Sequence, residues 1–161
     1  MSIHDVRLRY RAIPAEVLSR VRSGGLDDAG QLPARLTSDG NSLNWPLRCC
    51  LRDADPGTEV LLFGYAPDGT GGPYSELGPV FAHAESCSGP KSTDEYPADW
   101  KPLAQMIRGY DERGWMIRAE MHAGRTPEEA IQRVFGDPQV VEVHSRNPLQ
   151  GCYMFAVERA E

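Results

Sequence analysis

The sequence predicts an α+β fold: a mainly antiparallel, twisted or barrel-like sheet of about seven strands with two helices packed on it. Two observations support this prediction. Seven short segments are apolar or alternate apolar and polar residues, whereas only two segments combine a helical apolar stripe with residues that start and stop a helix. With 161 residues the chain is long enough to bury a core of its own, so we expect residues 1–161 to form a single domain.

The N-terminal quarter predicts one strand and one helix. Apolar and basic side chains alternate between His4 and Ile13, which is typical of a half-buried strand. Pro14 stands where a helix can begin and Gly24 where it can end, with an apolar stripe between them. The following segment, 25–46, is polar and rich in turn residues, and we expect a long connection there.

The middle of the chain predicts four strands, at 59–66, 79–85, 106–110 and 115–121. The first two flank the loop 67–78, which is rich in Gly and Pro and contains Gly69, Gly71 and Gly72. The last two flank a turn that ends at Gly114. On the last strand we expect Trp115 and Met121 to share the apolar face and His122 to lie on the solvated face.

The C-terminal part predicts the clearest helix and a hairpin. Thr126, Pro127 and Glu129 form a helix start, and Gly136 ends the helix. Strands at 139–145 and 151–159 follow. A simple five-residue hairpin loop places His144 directly across from Cys152. Alternation then assigns one set of residues to the core (Val141, Val143, Tyr153, Phe155, Val157) and another to the reverse face (Glu142, His144, Cys152, Met154).

The composition excludes several classes of protein. There are 17 Lys and Arg against 23 Asp and Glu, a net charge of −6 spread over both halves, which gives no electrostatic footprint for nucleic acid. No apolar run is long enough for a membrane span, and the N-terminus does not resemble a signal peptide. Four irregularly spaced cysteines favour thiols over disulfides, and we expect a cytoplasmic protein.

The common catalytic motifs do not occur in the sequence. The Gly-rich loop leads into a strand and has no Gly-Lys-Ser/Thr, so it does not fit a P-loop. The dinucleotide fingerprint, Gly-x-Ser-x-Gly and His-Glu-x-x-His are missing as well. We therefore predict no cofactor.

Imidazoles and thiols are the most informative candidates for chemistry. If the strand ends at His83, Cys87, His144 and Cys152 converge, two His and two Cys would suit tetrahedral zinc. Their spacing in the sequence lacks the tight pairs of structural zinc sites, so we assign no metal ligand. The same groups could act as a nucleophile, Cys87 or Cys152, and a base, His144 or His83. Each cysteine could equally be a small packed side chain.

Polar residues at strand and loop ends complete a candidate pocket. Arg146 and Asn147 are the predicted anchors for an anionic or carbonyl group. Four further residues are predicted to bind substrate or form the pocket wall: Tyr74, Glu76, Tyr110 and Asp111. The adjacent pair Cys49 and Cys50 is interpreted as packed.

Four strings of residues carry a resemblance to a known family: Arg48-Cys49-Cys50-Leu51, Tyr74-Ser75-Glu76-x-Gly78-Pro79-Val80-Phe81-x-His83, Arg108-Gly109-Tyr110-Asp111, and Val143-His144-x-Arg146-Asn147 followed by Gly151-Cys152-Tyr153. Together they resemble the bacterial family catalogued as domain-of-unknown-function family 1203, over nearly the whole chain. The resemblance implies no established activity. It implies that the position of Cys49 is often His, which makes Cys49 the poorest candidate for a shared role.

From these residues we predict a small enzyme that acts on a polar or carbonyl-bearing metabolite through a His/Cys/Arg pocket, with His144 as acid or base. The alternatives are a non-catalytic module that binds a small molecule or a protein, and a His/Cys metal-binding protein. The expected partner is a small-molecule ligand or substrate, without nucleic acid or membrane.

Overall fold

The computed structural model describes residues 5–40, 45–67 and 72–161. The predicted strand start at His4 and the glycines Gly69 and Gly71 lie outside these residues. Within them the structure has two α-helices, α1 (Ala15–Arg22) and α2 (Pro127–Phe135), and a single 3-10 turn at Ala98–Trp100. The described strands are β1 (Leu8–Arg11), β2 (Ala34–Thr37), β3 (Pro46–Leu47), β4 (Arg52–Asp53), β5 (Glu59–Tyr65), β6 (Gly78–His83), β7 (Ala104–Tyr110), β8 (Met116–Ala123), β9 (Glu142–Arg146) and β10 (Tyr153–Arg159).

The first sheet has the order β1-β10-β9-β7-β8, and all its neighbours are antiparallel. Helix α2 packs on one face through its apolar stripe of Ala130, Ile131, Val134 and Phe135, each nearly or fully buried. Gly109 permits this close approach, because a Cβ there would lie 2.6 Å from the Cγ1 atom of Val134. The predicted C-terminal helix is therefore confirmed, together with the core that it covers.

The second sheet has the order β2-β5-β6-β3-β4, and its one parallel pair is β3 with β6. A second core joins this sheet to Leu18 and Val21 of α1 and to Tyr153 and Ala156 of β10. Strand β10 is thus buried on both faces, since α2 and the second sheet cover opposite sides of the first sheet.

The fold class and the two helices are as predicted, but the sheet is divided in two and neither half is a closed barrel. The described residues form ten strands where seven were predicted. Strand β2 lies inside the predicted 25–46 connection, and β3 and β4 have two residues each. The two-residue strands β3 and β4 cannot be predicted from alternation, because a period of two can be recognised only over about four residues or more.

The predicted register of the C-terminal hairpin is wrong. His144 pairs with Ala156 and not with Cys152, and a bulge lies between Tyr153 and Phe155. A bulge sets two residues against one and so changes which side chains share a face. Tyr153 therefore belongs to the second core with Ala156, and Met154 belongs to the first core with Phe155.

The prediction for the face of β8 is also wrong. Trp115 and Met121 are exposed, whereas His122 is buried. The ring of His122 lies 3.2 Å from the Tyr96 hydroxyl through Nε2, and its Nδ1 accepts the backbone N–H of Gly124. Because β8 is the edge strand of its sheet, an aromatic residue from a distant loop can cover its polar side.

Among the described residues, no helix has the length and apolar character that crossing a bilayer requires.

Candidate thiol and imidazole site

The site begins at the turn between β3 and β4. Leu51 adopts the left-handed conformation (φ 56°), and its N–H donates to the Leu47 carbonyl at 2.9 Å. Arg48 is buried and anchors the turn: its Nε donates to the Tyr153 carbonyl at 2.8 Å and its Nη1 to the Pro46 carbonyl at 2.6 Å. The turn thereby holds the two following residues, Cys49 and Cys50, in fixed positions.

Parallel pairing brings this turn to the end of β6. Leu47 pairs with Phe81, so the residues two positions further along, Cys49 and His83, come level with each other. The backbone N–H of His83 donates to the Cys49 Sγ atom at 3.3 Å. Cys87 follows four residues after His83, in the loop beyond the strand.

These four residues form what we call the thiol cluster: Cys49, Cys50, His83 and Cys87. One potential ligand atom from each lies within 4.8 Å of all the others. The Sγ atoms of Cys49 and Cys50 are 4.0 Å apart, and His83 Nδ1 lies 3.5 Å from the first and 3.7 Å from the second. All four cysteines of the chain are free thiols.

The spacing of three of the four residues matches that of ligands around a tetrahedral metal ion. With Zn–S bonds of about 2.3 Å and Zn–N bonds of about 2.0–2.1 Å, the tetrahedral angle places two sulfurs about 3.8 Å apart and sulfur and nitrogen about 3.6 Å apart. The separations among Cys49, Cys50 and His83 fall within a few tenths of an ångström of these values.

Two arginines give the thiol cluster a positive surrounding. Arg22 of α1 donates through Nη2 toward Cys87 Sγ at 3.8 Å and through Nε to the His83 carbonyl at 3.1 Å. Arg52 acts on Cys50 and on His83 by its charge. Both cations favour anionic sulfur and disfavour an imidazolium.

The pKa values within the cluster reflect these contacts. The hydrogen bond between the adjacent thiols, together with burial, raises the pKa of Cys49, and the same hydrogen bond lowers the pKa of Cys50. Burial and the charges of Arg52 and Arg22 lower the pKa of His83. These shifts favour the neutral imidazole of His83 and the thiolate of Cys50, and both are the forms that bind metals.

A cleft opens beside the cluster. Its volume is about 670 Å³, and Cys49 and Cys87 both line it. Hydroxyl groups and a guanidinium form much of its remaining polar wall: Ser19, Ser23, Ser86, Ser88 and Arg22. Solvent and small solutes thus have a path to the cluster.

The predicted meeting of His83 and Cys87 with His144 and Cys152 is wrong. Among the described residues, the one group of three or more that could hold a metal contains His83 and Cys87 with Cys49 and Cys50. His144 lies on the first sheet, where its Nε2 donates to Glu142. Cys152 lies in the hairpin loop, and its Sγ is 3.8 Å from the Gln150 carbonyl.

Several residues predicted to bind substrate meet on the first sheet. Glu76 forms ion pairs with Arg146 at 2.9 Å and with Arg108 at 3.2 Å. The ring of Tyr110 lies 4.7 Å from that of His144, centroid to centroid. The remaining candidates are placed by local contacts. Their binding and catalytic roles stay predictions.

Those local contacts concern the loops. Asp111 accepts two backbone N–H groups of its own turn and the Arg113 guanidinium, which lowers the pKa of Asp111. Asn147 donates to Met154 Sδ at 3.2 Å and lines a second cavity of about 270 Å³. Tyr74 is exposed.

The fold and the cluster define an α+β protein with a compact Cys/His site built on its second sheet. A family model described as "Protein of unknown function (DUF1203)" matches residues 44–159, and the chain belongs to this family. The match covers all four residues of the thiol cluster. Searches of curated proteins and of solved structures each return no match.

Sequence reasoning missed Cys49, Cys50 and Arg22 as site residues. The signal for the first two was present, because two adjacent thiols and a His-x-x-x-Cys segment supply four ligands. The missing information was the pairing of β3 with β6, which joins segments more than thirty residues apart. Arg22 carried no signal, since it reads as one more basic residue on a helix surface.

Proposed function

We propose that this protein binds a thiophilic divalent metal ion, Zn²⁺ in the first place, through Cys49, Cys50, His83 and Cys87. One observation supports the proposal above all others: four atoms of the types that bind zinc lie within 4.8 Å of one another on three separate segments of the chain. Four protein ligands close the coordination sphere of zinc, which is the arrangement of structural sites.

The charges around the cluster agree with this proposal. Three thiolates and a neutral imidazole around Zn²⁺ leave one net negative charge. Arg22 and Arg52 stand next to the ligands and compensate that charge. A ligand set rich in sulfur also disfavours the hard cations Mg²⁺ and Ca²⁺, which prefer oxygen.

A thiol enzyme is the second candidate, and one observation favours it. Cys50 has a lowered pKa, and a cleft of about 670 Å³ reaches its neighbours Cys49 and Cys87. This arrangement supports the prediction of an enzyme acting on a small polar or carbonyl-bearing metabolite, with the thiol moved from Cys152 to the cluster. A metal ion bound by the same sulfurs would suppress that chemistry.

Metal content decides between the two candidates. The purified full chain, loaded with Zn²⁺ and dialysed, should retain one equivalent by elemental analysis. Loading with Co²⁺ should give the sulfur-to-metal charge-transfer bands and the visible bands of a tetrahedral site. Cys50→Ser and His83→Ala should each abolish these bands.

Cys152→Ser is the matched control, because it removes the one cysteine that lies outside the cluster. Zinc should protect Cys49, Cys50 and Cys87 from iodoacetamide and leave Cys152 reactive. The metal site is contradicted if the protein binds neither zinc nor cobalt and its cluster thiols react equally with and without metal. The thiol enzyme would then be the remaining candidate.

A further inference from the structure

A second cluster of charged groups lies on the first sheet, on the face opposite α2. Arg108 of β7 and Arg146 of β9 lie on adjacent strands, where Met106 pairs with Arg146 and Arg108 pairs with His144. The Arg146 side chain is 8% exposed and that of Arg108 is 23% exposed. We call these two residues the arginine pair.

The arginine pair has a carboxylate between its guanidinium groups. Arg108 Nη1 lies 3.3 Å from Oε1 and 3.2 Å from Oε2 of Glu76, and Arg146 Nη1 lies 2.9 Å from Oε2 of the same residue. Like charges that are neighbours across a sheet repel each other, so a carboxylate here stabilises both cations. Guanidinium groups and carboxylates match in shape as well as in charge.

The carboxylate of Glu76 is open to solvent. Its side chain is 50% exposed, and it belongs to the segment that leads into β6, not to the sheet that carries the arginine pair. Glu142 on the same face is a contrast: it is bound by Arg11 at 2.8 Å and by His144, both from within the first sheet. Another carboxylate can replace the exposed one of Glu76 without leaving Arg146 or Arg108 unpaired, because the incoming group supplies the same charge and the same acceptor oxygens.

Buried polar atoms without a partner adjoin the arginine pair. Within the described part of the chain, Nε of Arg146 and Nδ1 of His144 are buried and make no hydrogen bond. Such atoms are uncommon in folded proteins and call for a partner. The rings of Tyr110 and Tyr153 pack against His144 and give this region an aromatic wall.

We infer that the arginine pair is a binding site for the carboxylate of a small organic acid, and that the chain's own Glu76 fills this site when the acid is absent. The inference does not depend on metal binding by the thiol cluster, because the two sites lie on different sheets. It assigns Glu76 a role as a displaceable internal ligand and not as a fixed pocket wall.

The test compares Glu76→Ala with Glu85→Ala in the full chain. Both variants remove one exposed carboxylate that pairs with arginine, but Glu85 pairs with Arg35 on the second sheet. Isothermal titration calorimetry with succinate should show at least tenfold tighter binding by Glu76→Ala than by the wild type or by Glu85→Ala. Arg108→Gln in the Glu76→Ala background should remove that gain, and thermal unfolding should verify that each variant is folded.

Two results overturn the inference. The first is equal succinate affinity in Glu76→Ala and Glu85→Ala, which would show that only net charge matters. The second is tighter binding of inorganic phosphate than of succinate by Glu76→Ala, because the arginine pair would then select a tetrahedral oxyanion. Zinc binding is also measured on Glu76→Ala and should be unchanged, so a failure here stays distinct from a failure of the metal site.

Discussion

The thiol cluster and the arginine pair differ in how their charges are balanced. The thiol cluster consists of four side chains of types that bind cations, and the cations beside it, Arg22 and Arg52, come from outside the four. The arginine pair, in contrast, already has its counter-charge in Glu76. A metal ion at the thiol cluster, as proposed, would therefore displace no acidic side chain, whereas an anion can bind the arginine pair only by displacing Glu76.

The two regions also differ in how the chain builds them. The cluster takes its residues from a tight turn, a strand end and a loop, which meet because β3 and β6 are parallel. The arginine pair sits on two long antiparallel strands whose register is set over five residue pairs. Loss of a bound ion should therefore loosen the cluster, whereas the sheet holds the arginine pair in place whatever it binds.

The largest expected effect is that of metal removal on stability. Zinc that binds only the folded chain, present at 100 times its Kd, stabilises the fold by about 2.7 kcal/mol. In a domain of this size such a gain raises Tm by about 5–11 °C. Thermal unfolding with zinc and with a chelator should show this difference in the wild type and in Cys152→Ser.

Cys50→Ser should have the same Tm in both conditions, because it lacks a complete ligand set. An equal difference between zinc and chelator in Cys50→Ser would place the metal elsewhere in the chain.

The next effect concerns the positive charge beside the cluster. Arg22→Gln removes the guanidinium that faces Cys87 and His83, and groups that support metal ligands in this way change affinity by about 10–100-fold. We expect zinc affinity, measured by competition with a chelating dye, to fall within that range. Arg20→Gln is the matched control, since Arg20 lies on the same helix and pairs with Asp28.

If both variants weakened zinc binding equally, the effect would come from net charge and not from contact with the cluster. A loss of zinc affinity confined to Arg22→Gln would sharpen the contrast with the arginine pair. In the arginine pair the cations themselves bind the ligand, whereas at the thiol cluster the cation supports the residues that bind it.

Sequence reasoning reached the fold class, both helices and seven of the ten described strands, because each of these leaves a local signature. Helix α2 has its start, stripe and stop within about ten residues. The short strands β3 and β4 leave no such signature, and the pairing of Leu47 with Phe81 is a property of the whole sheet.

The candidate site could be predicted only in part for the same reason. His83 and Cys87 were chosen for their chemistry, and their proximity follows from the sequence alone. Their partners could not be predicted correctly, because Arg146 pairs with Tyr153 across the hairpin, which together with the bulge sets His144 opposite Ala156 and not Cys152. The parallel pair of β3 and β6 brings Cys49 and Cys50 to His83 and Cys87 instead.

The smallest effect should come from Glu142, which belongs to the first sheet and to neither ligand set. Burial raises the pKa of Glu142, but the hydrogen bond and charge of His144 and the charge of Arg11 outweigh burial and lower the pKa below its ordinary value of 4.5. The unfolded chain therefore takes up a proton at higher pH than the folded chain does. The stability that Glu142 contributes is fully present above pH 4.5 and is lost as the pH falls through the lowered pKa.

Glu142→Gln should reduce the free energy of unfolding at pH 7 by about 1–2 kcal/mol, since it leaves Arg11 and His144 without their charged partner. In metal-free protein, denaturant titrations at pH 7 and at pH 3.5 should show a smaller loss of stability on acidification for this variant than for the wild type. A parallel pH dependence in the two proteins would mean that Glu142 titrates alike in the folded and unfolded chains. Zinc affinity at pH 7 should be the same in both, because the change lies on the sheet that does not carry the thiol cluster.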